Sequence, residues 1–270
     1  LRLPMVHGAA DGIVKERGRS MKALARGRHW MAVLQMLMAL PAEDVRVNTI
    51  LYNTAISTCN LWHRAFDCMH SMNKQKILPD VISFNSTINA CEKHNAWRAA
   101  VMLLNRMERV RLEADVIGLS AVVSALAKGR WSSETPCWTR GVQLLNRQSE
   151  SLDVIAVSSA IACCEKGQQW QHGVSLLGMA MNRVTPNTVS YNSSISACEK
   201  AGQWIVAVAL LELEAKDLSP DVVSFNSSIS ACEKSNHWVY ALCLLLSMED
   251  FELCPDIVSY SGVISAAEKG

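Results

Sequence analysis

The sequence lacks the features that mark a membrane protein, a metalloprotein or a nucleotide-dependent enzyme. No uninterrupted apolar run approaches the ~20 residues of a membrane-spanning helix. The ten cysteines include no Cys-x-x-Cys pair of the kind that binds zinc, and the seven histidines form no ligand pair with them. A glycine-rich phosphate loop is also missing. The formal net charge is only +1, so charge of one sign does not announce a nucleic-acid-binding protein. We therefore expect no catalytic site, no metal and no cofactor.

What the sequence does contain is one repeated unit. The segment Pro220–Lys234 returns almost unchanged at Pro186–Lys200 and Pro79–Lys93. The aromatic position of Phe225 recurs at intervals of 32 to 38 residues, at Tyr52, Phe84, Leu119, Val157, Tyr191 and Tyr260. Periods of this length indicate stacked supersecondary units, each of which completes the core of its neighbour.

The repeat divides the chain into units. Residues 1–12 are uninformative, and residues 13–48 read as a degenerate repeat or cap whose second helix runs from Trp30 to Leu40 and is ended by Pro41. Six complete units follow at 49–80, 81–115, 116–153, 154–187, 188–221 and 222–256, and 257–270 is the first helix of a truncated seventh. The third unit carries an insertion at residues 131–136. The first complete unit is three residues shorter at the same turn, which predicts a tight connection at residues 60–63.

Two helical patterns lie within each unit. In the first, Phe84, Ile88 and Cys91 form an apolar stripe at i, i+4 and i+7, and Asp80 is placed to cap its start. The second begins at a tryptophan and continues Ala-x-x-Leu-Leu-x-x-Met, as in Trp97 to Met107. Cysteines recur seven residues after the aromatic position, at Cys59, Cys91, Cys164, Cys198 and Cys232. Leu126 and Ala267 also occur there, which indicates small buried packing sites.

These patterns predict an all-α solenoid of stacked antiparallel helix-turn-helix repeats. The motif Asp-Val-Val-Ser-Phe-Asn-Ser-Ser-Ile-Ser-Ala-Cys-Glu-Lys, followed by Ala-x-x-Leu-Leu-x-x-Met and Pro-Asp, resembles the pentatricopeptide repeat family. The resemblance implies a right-handed superhelix that binds single-stranded RNA, one base per repeat. It also implies other RNA-processing proteins as partners, and work in a mitochondrion or chloroplast.

In this family the base is read by the residue after the aromatic and by the final residue of the unit. We call these the reading residue and the closing residue. The pairs here are Asn53 with Asp80, Asn85 with Asp115, Ser120 with Asp153, Ser158 with Asn187, Asn192 with Asp221, and Asn226 with Asp256, while Ser261 begins a seventh. The family's pattern of Asn-Asp with uracil, hydroxyl-Asp with guanine and hydroxyl-Asn with adenine implies a core target near 5′-UUGAUU-3′.

Two further rows belong to the same prediction. The family uses the residue two before the aromatic to sandwich bases, here Ile50, Ile82, Ile117, Ile155, Val189, Val223 and Val258, although packing at the helix start explains these residues equally well. Nine residues after the aromatic come lysines that can follow a phosphate backbone: Lys93, Lys128, Lys166, Lys200, Lys234 and Lys269. Without the family pattern, the repeated Glu-Lys would be read as a solvated helix end.

Two alternatives to RNA binding are a protein-interaction scaffold and an enzyme. A protein-interaction scaffold on a tetratricopeptide-like solenoid has the same fold class but other signatures, namely Gly-Tyr and Ala-Phe pairs. An enzyme is disfavoured because the Glu-Lys pairs repeat too regularly to be a catalytic site.

Overall fold

The structure, a computed structural model, describes residues 16, 18–21, 23–24, 29–39, 48–59, 61–129, 137–147 and 153–270. Over that part of the chain it consists of α-helices and one short 3₁₀ helix, Glu249–Phe251, without a strand. The α-helices are α1 (Trp30–Ala39), α2 (Thr49–Thr58), α3 (Trp62–Lys74), α4 (Val81–Lys93), α5 (Trp97–Arg109), α6 (Val116–Lys128), α7 (Cys137–Arg147), α8 (Val154–Lys166), α9 (Trp170–Met181), α10 (Thr188–Lys200), α11 (Trp204–Asp217), α12 (Val222–Lys234), α13 (Trp238–Ser247) and α14 (Ile257–Lys269). The all-α prediction is confirmed.

The chain separates into two compact units, residues 1–129 and 130–270. The first contains α1 to α6 and the second α7 to α14. Within each unit the helices alternate between a first helix, which carries the aromatic stripe, and a second helix, which begins at a tryptophan or at Cys137. A first helix packs on the next first helix, and a second helix packs on both of them. The predicted insertion at residues 131–136 lies outside the described residues.

An acidic or amide side chain caps each of the complete first helices at its start. Asp80 accepts from the amide of Ser83 at 2.8 Å, as predicted, and Asp221 accepts from the amide of Ser224 at 2.9 Å. The same position is filled by Asn48, Asp115, Asp153, Asn187 and Asp256. Each such cap stabilises its helix by about 1 kcal/mol, because it satisfies an amide that has no intrahelical partner.

In five helix pairs, α2–α3, α4–α5, α8–α9, α10–α11 and α12–α13, the connection is three residues long. In four of these turns the second residue is left-handed: Asn95, Gln168, Gly202 and Asn236 have φ between 54° and 66°. The residue after it donates its amide to the carbonyl five positions back, as Gln169 does to Cys164 at 2.9 Å. This is the backbone pattern of a helix C-terminus that reverses sharply into the next element.

The tight turn expected at residues 60–63 was a wrong reading of the three-residue deletion. Three residues, 59–61, separate α2 from α3, the same number as separates α4 from α5. The deletion instead shortens the first helix, since α2 has ten residues and α4 has thirteen. The turn needs its three residues to reverse the chain, so the last helical turn is lost.

The core of each unit is built from the predicted stripes. Tyr52, Phe84, Tyr191 and Phe225 are at most 2% exposed, and the cysteines of the repeat position, Cys59, Cys91, Cys164, Cys198 and Cys232, are all buried. Alanines or a glycine at the centre of the second helices allow close approach: Ala65, Ala100, Gly173, Ala207 and Ala241. The cysteine positions are therefore packing positions, as predicted. None of the described helices is long and apolar enough to span a bilayer.

Candidate nucleic-acid interface

One face of the first helices gathers every residue type singled out for binding. Successive residues of an α-helix are about 100° apart around its axis. An arc of roughly 100° therefore contains five positions of each first helix: the residue two before the aromatic, the reading residue, the serine five after the aromatic, and the Glu and Lys at the helix end. That arc lies beside the buried apolar stripe, so each first helix can pack into the core and expose these side chains at the same time. We call this surface the reading face.

The structure brings the reading residue and the closing residue together wherever both are Asn and Asp. Asn53 Nδ2 lies 3.1 and 3.3 Å from the two carboxylate oxygens of Asp80, and Asn192 Nδ2 has the same distances to Asp221. In Asn226 the amide donates to Asp256 at 3.1 Å. A carboxylate carries no hydrogen, so the amide must turn its NH₂ group toward it.

A serine on the following first helix holds the other end of these amides. It is the third residue of that helix, and we call it the clamp serine. Ser83 Oγ donates to Asn53 Oδ1 at 2.5 Å, and Ser224 and Ser259 make the equivalent bond at 2.6 Å to Asn192 and Asn226. The clamp serines are fully buried. An amide bonded at both ends has one orientation.

This network lowers the pKa of the closing carboxylates Asp80 and Asp221. Burial, the largest single influence, opposes ionisation of Asp80, but the Ser83 amide, the Asn53 amide and the Ser83 hydroxyl together hold its pKa below the ordinary value. The pKa of Asp221 is lowered in the same way by Ser224 and Asn192. The pair therefore presents an amide beside a negative charge.

The second complete repeat, residues 81–115, departs from this arrangement. Asn85 Nδ2 contacts both oxygens of Asp115, at 2.8 and 2.9 Å. The clamp position is Gly118, and a Cβ placed there would overlap Asn85 Oδ1. Asn85 Oδ1 is buried and has no hydrogen-bond partner among the described residues. Its amide is bonded at one end only.

The serine reading residues donate to their own helix. Ser158 Oγ bonds the carbonyl of Val154 at 2.7 Å and lies 2.9 Å from the clamp serine Ser190 and 3.3 Å from Asn187 Oδ1. Ser120 Oγ and Ser261 Oγ likewise donate to carbonyls, Val116 at 2.6 Å and Val258 at 3.0 Å. Ser120 lies in the first compact unit, residues 1–129, and Asp153 in the second, residues 130–270.

The β-branched row is exposed, although the residue two positions later is buried in every repeat except the last, where Tyr260 is 52% exposed. Ile50, Ile82, Ile117, Ile155, Val189, Val223 and Val258 are 57 to 69% exposed. Burial at the helix start, the alternative interpretation of these residues, does not describe them. An exposed apolar side chain beside each polar pair is a surface on which a flat ring can pack.

Four of the predicted backbone-contacting lysines make ion pairs between neighbouring repeats. The Glu that precedes the lysine in one first helix accepts from a serine and a lysine of the next, and we call each such cluster a ladder rung. Glu199 Oε1 lies 2.9 Å from Ser230 Oγ and 2.8 Å from Lys234 Nζ. The other rungs are Glu92 with Ser124 and Lys128, Glu165 with Ser196 and Lys200, and Glu233 with Ser265 and Lys269.

The rungs leave the ammonium groups accessible. The side chains of the four paired lysines remain 41 to 52% exposed, whereas their glutamates are 18 to 20% exposed. The Ser265 hydroxyl is the largest influence that lowers the pKa of Glu233, and Lys269 adds to it. Lys93 has no carboxylate partner among the described residues, because α2 ends before a Glu can be supplied.

One buried charge was missed by the sequence reasoning. Glu214 on α11 occupies the position of Met107 and Met248 in other second helices, and all three are 0% exposed. Both carboxylate oxygens of Glu214 lack a hydrogen-bond partner in the described part of the chain. Burial is the largest influence on its pKa, and with the nearby charge of Asp221 raises it to about 7. The signal was a Glu at a repeat position that Met72, Met107 and Met248 hold in other repeats.

The fold and this face define a class: an α-helical repeat protein in which Asn–Asp pairs recur on the same face of successive first helices within each compact unit. Family models give the class its name. A model described as the pentatricopeptide repeat domain matches residues 35–94, and one for the single repeat matches 82–112 and 189–213. These segments of the chain are therefore pentatricopeptide repeats, as the motif predicted.

Solved structures agree on the fold. The maize pentatricopeptide repeat protein PPR10 matches with a TM-score of 0.60 at 17% identity, over 90% of this chain and 35% of its own. PPR10 in complex with an 18-nucleotide psaJ RNA element matches with 0.53 at 16% identity, over 94% of this chain and 42% of its own. The repeat domain of Arabidopsis thaliana protein-only RNase P 1, in complex with tRNA, matches with 0.57 at 10% identity, over 73% and 98%.

The chain therefore spans between a third and a half of the maize structures it resembles. At these identities the likeness shows the fold. Among curated proteins, none matches the sequence.

Proposed function

We propose that this protein binds single-stranded RNA in a sequence-selective manner, with one base for each helical hairpin. The observation that carries the proposal is the repeated Asn–Asp pair, held in one geometry at Asn53, Asn192 and Asn226. Such pairs, spaced by one repeat along a helix face, match a polymer that presents one base edge at a regular interval. Two similar structures were determined with bound RNA, a psaJ element and a tRNA.

The chemistry of the pair suits a base edge. The closing carboxylate takes one hydrogen of the Asn NH₂ group, and the second hydrogen is left to donate. A donor presented in this way selects an acceptor, and uracil offers carbonyl oxygens on its pairing edge. The exposed Ile or Val beside each pair would cover the ring face.

The six units then correspond to the hexamer 5′-UUGAUU-3′, with the N-terminal unit at the 5′ end. The four Asn–Asp units take uracil. The units of Ser120 with Asp153 and of Ser158 with Asn187 take guanine and adenine. The proposed role is occupation of an organellar transcript, in a mitochondrion or chloroplast, in support of its stabilisation, processing, editing or translation. Other RNA-processing proteins are the expected partners.

Electrostatics limits how the RNA is held. The net charge is +1, and the segment from Trp204 to Gly270 contains ten acidic residues but only three lysines. Each ladder lysine already has a carboxylate partner, so phosphate has to share it. Affinity should depend more on base contacts than on a basic field, with a shallow dependence on salt.

Fluorescence polarisation with labelled UUGAUU and a scrambled hexamer of the same composition tests the proposal. We expect the matched sequence to bind at least ten times more tightly. Ile205→Ala, a change at a 66% exposed residue on a second helix, should leave both affinities unchanged and serves as the control. Equal and weak binding to both hexamers would end the base-reading proposal and favour a protein scaffold.

A further inference from the structure

The clamp position varies in this chain while the Asn–Asp pair does not. Ser83, Ser224 and Ser259 each donate to the reading asparagine of the preceding unit. Gly118 stands in the same place beside Asn85 and has no hydroxyl to donate. The chain therefore contains both forms of one site, three with the clamp and one without it.

The clamp decides which part of the amide is free. In a clamped unit the Asn oxygen already accepts from serine and the NH₂ group already donates to Asp, so only the second N–H hydrogen is unused. In the second unit the Asn85 oxygen keeps both lone pairs, in a buried position where an unpaired acceptor is unfavourable. The Asn85 amide therefore lacks the second hydrogen bond that fixes its clamped counterparts.

The two pyrimidines differ in this respect on their pairing edge. Uracil carries a carbonyl where cytosine carries an amino group, which donates. A clamped asparagine presents a donor to that edge and favours uracil. Asn85 has no clamp and is held only through the bonds of its NH₂ group to Asp115, so its amide can shift in the site and its preference for the uracil carbonyl is weaker.

We propose, resting on the proposed RNA-binding function, that the clamp serine is a positioning residue for base selectivity and that Gly118 makes the second unit tolerant of cytosine as well as uracil. The clamped units of Asn53, Asn192 and Asn226 discriminate between the two. The target is then UYGAUU, where Y is either pyrimidine.

Binding of three hexamers tests the inference: UUGAUU, UCGAUU and UUGACU. For the wild-type protein we expect the change at the fifth letter to weaken binding by about tenfold or more, the size of one good base contact. The change at the second letter should cost less than about threefold. A Gly118→Ser variant should raise the second-letter ratio to that of the fifth, because the displaced Asn85 side chain can take the position seen for Asn192.

A reverse variant provides the second arm. Ser224→Ala keeps the Cβ and the Asp221 cap but removes the hydroxyl, and should lower the fifth-letter ratio without changing the second. Thermal unfolding by circular dichroism checks that both variants are folded. An unchanged ratio in the folded variants, with wild-type discrimination equal at both letters, overturns the clamp while leaving base reading intact. Loss of discrimination at every letter in the wild type overturns the proposed function itself.

Discussion

The buried carboxyl of Glu214 should make the stability of the second compact unit, residues 130–270, fall as pH rises from about 4.5 to about 7. Its side chain is 0% exposed, and both oxygens lack a partner in the described residues. Burial is the main reason that the pKa of this carboxyl is raised, and the charge of Asp221 adds to it. The hydroxyl of Ser224 lowers the pKa but does not offset them, because its hydrogen also faces Asn192 Oδ1 at 2.6 Å.

The magnitude follows from the pKa. It moves from an ordinary value of 4.5 to about 7, because burial penalises the charged form. The folded state therefore binds more protons than the unfolded chain between these values, and stability falls with increasing pH across that window. Full ionisation costs roughly 3 kcal/mol, at about 1.4 kcal/mol per pH unit of displacement. Below about pH 4.5 the cost is absent, because both states are protonated.

Glu214→Met places in this slot the residue that Met107 and Met248 supply elsewhere. At pH 8 we expect it to stabilise the unit by about 3 kcal/mol or more, since it removes the charge and adds apolar burial. Glu214→Gln is the matched control: it removes the titration but keeps an unsatisfied polar group, so its gain should be smaller, growing from about pH 4.5 and complete above about pH 7.

Hydrogen exchange of the amides of α11 and α12, at pH 5 and pH 8, measures the effect locally, because solenoid repeats open by parts. Urea unfolding followed by circular dichroism gives the global value. A wild-type stability that is equal at both pH values, or a Glu214→Met protein less stable than wild type at pH 8, would refute this reasoning.

Three further predictions concern the turns, the ladder and the acid limb. Gln168→Gly should stabilise its turn by about 1 kcal/mol, because Gln168 has φ 54°, whereas Gly202→Ala should destabilise by a similar amount at φ 66°; thermal unfolding of both checks the sign. Lys93→Ala should weaken RNA binding more than Lys234→Ala, since Lys234 is paired with a Glu at 2.8 Å; similar losses for the two would contradict this. Because the pKa of Asp80 is lowered in the folded state, its stabilisation is complete above about pH 4 and is lost as pH falls below that value. Asp80→Asn should flatten this acid limb, and a limb of unchanged slope in urea unfolding at pH 5 and 3 would argue against Asp80 as its source.

Local signals in the sequence predicted most of the fold. Asp80 as a cap and the stripe of Phe84, Ile88 and Cys91 depend only on neighbours within one helix, so periodicity was sufficient. The shortened α2 was misread because a deletion near a turn does not reveal whether the turn or the helix loses residues. The connection keeps its three residues, so the helix is the part that is shortened.

Contacts between repeats were harder to predict. The reading pairs came from the family resemblance, and the structure brings Asn85 and Asp115 together as that resemblance implied. The ladder rungs depend on the offset between stacked first helices, so a Glu of one unit meets a lysine about 35 residues later, which helical periodicity alone does not specify. Glu214 and Gly118 were visible in the sequence as exceptions to the repeat, but their consequences needed the surrounding atoms.

The central claim is that each hairpin selects one base through its reading and closing residues, and the fifth unit tests it most directly. Asn192→Thr replaces the amide by a hydroxyl while Asp221 remains. We expect wild type to prefer UUGAUU over UUGAGU and the variant to reverse that order, with both proteins equally folded by circular dichroism. A folded variant that keeps the wild-type preference for uracil at the fifth letter would contradict the account.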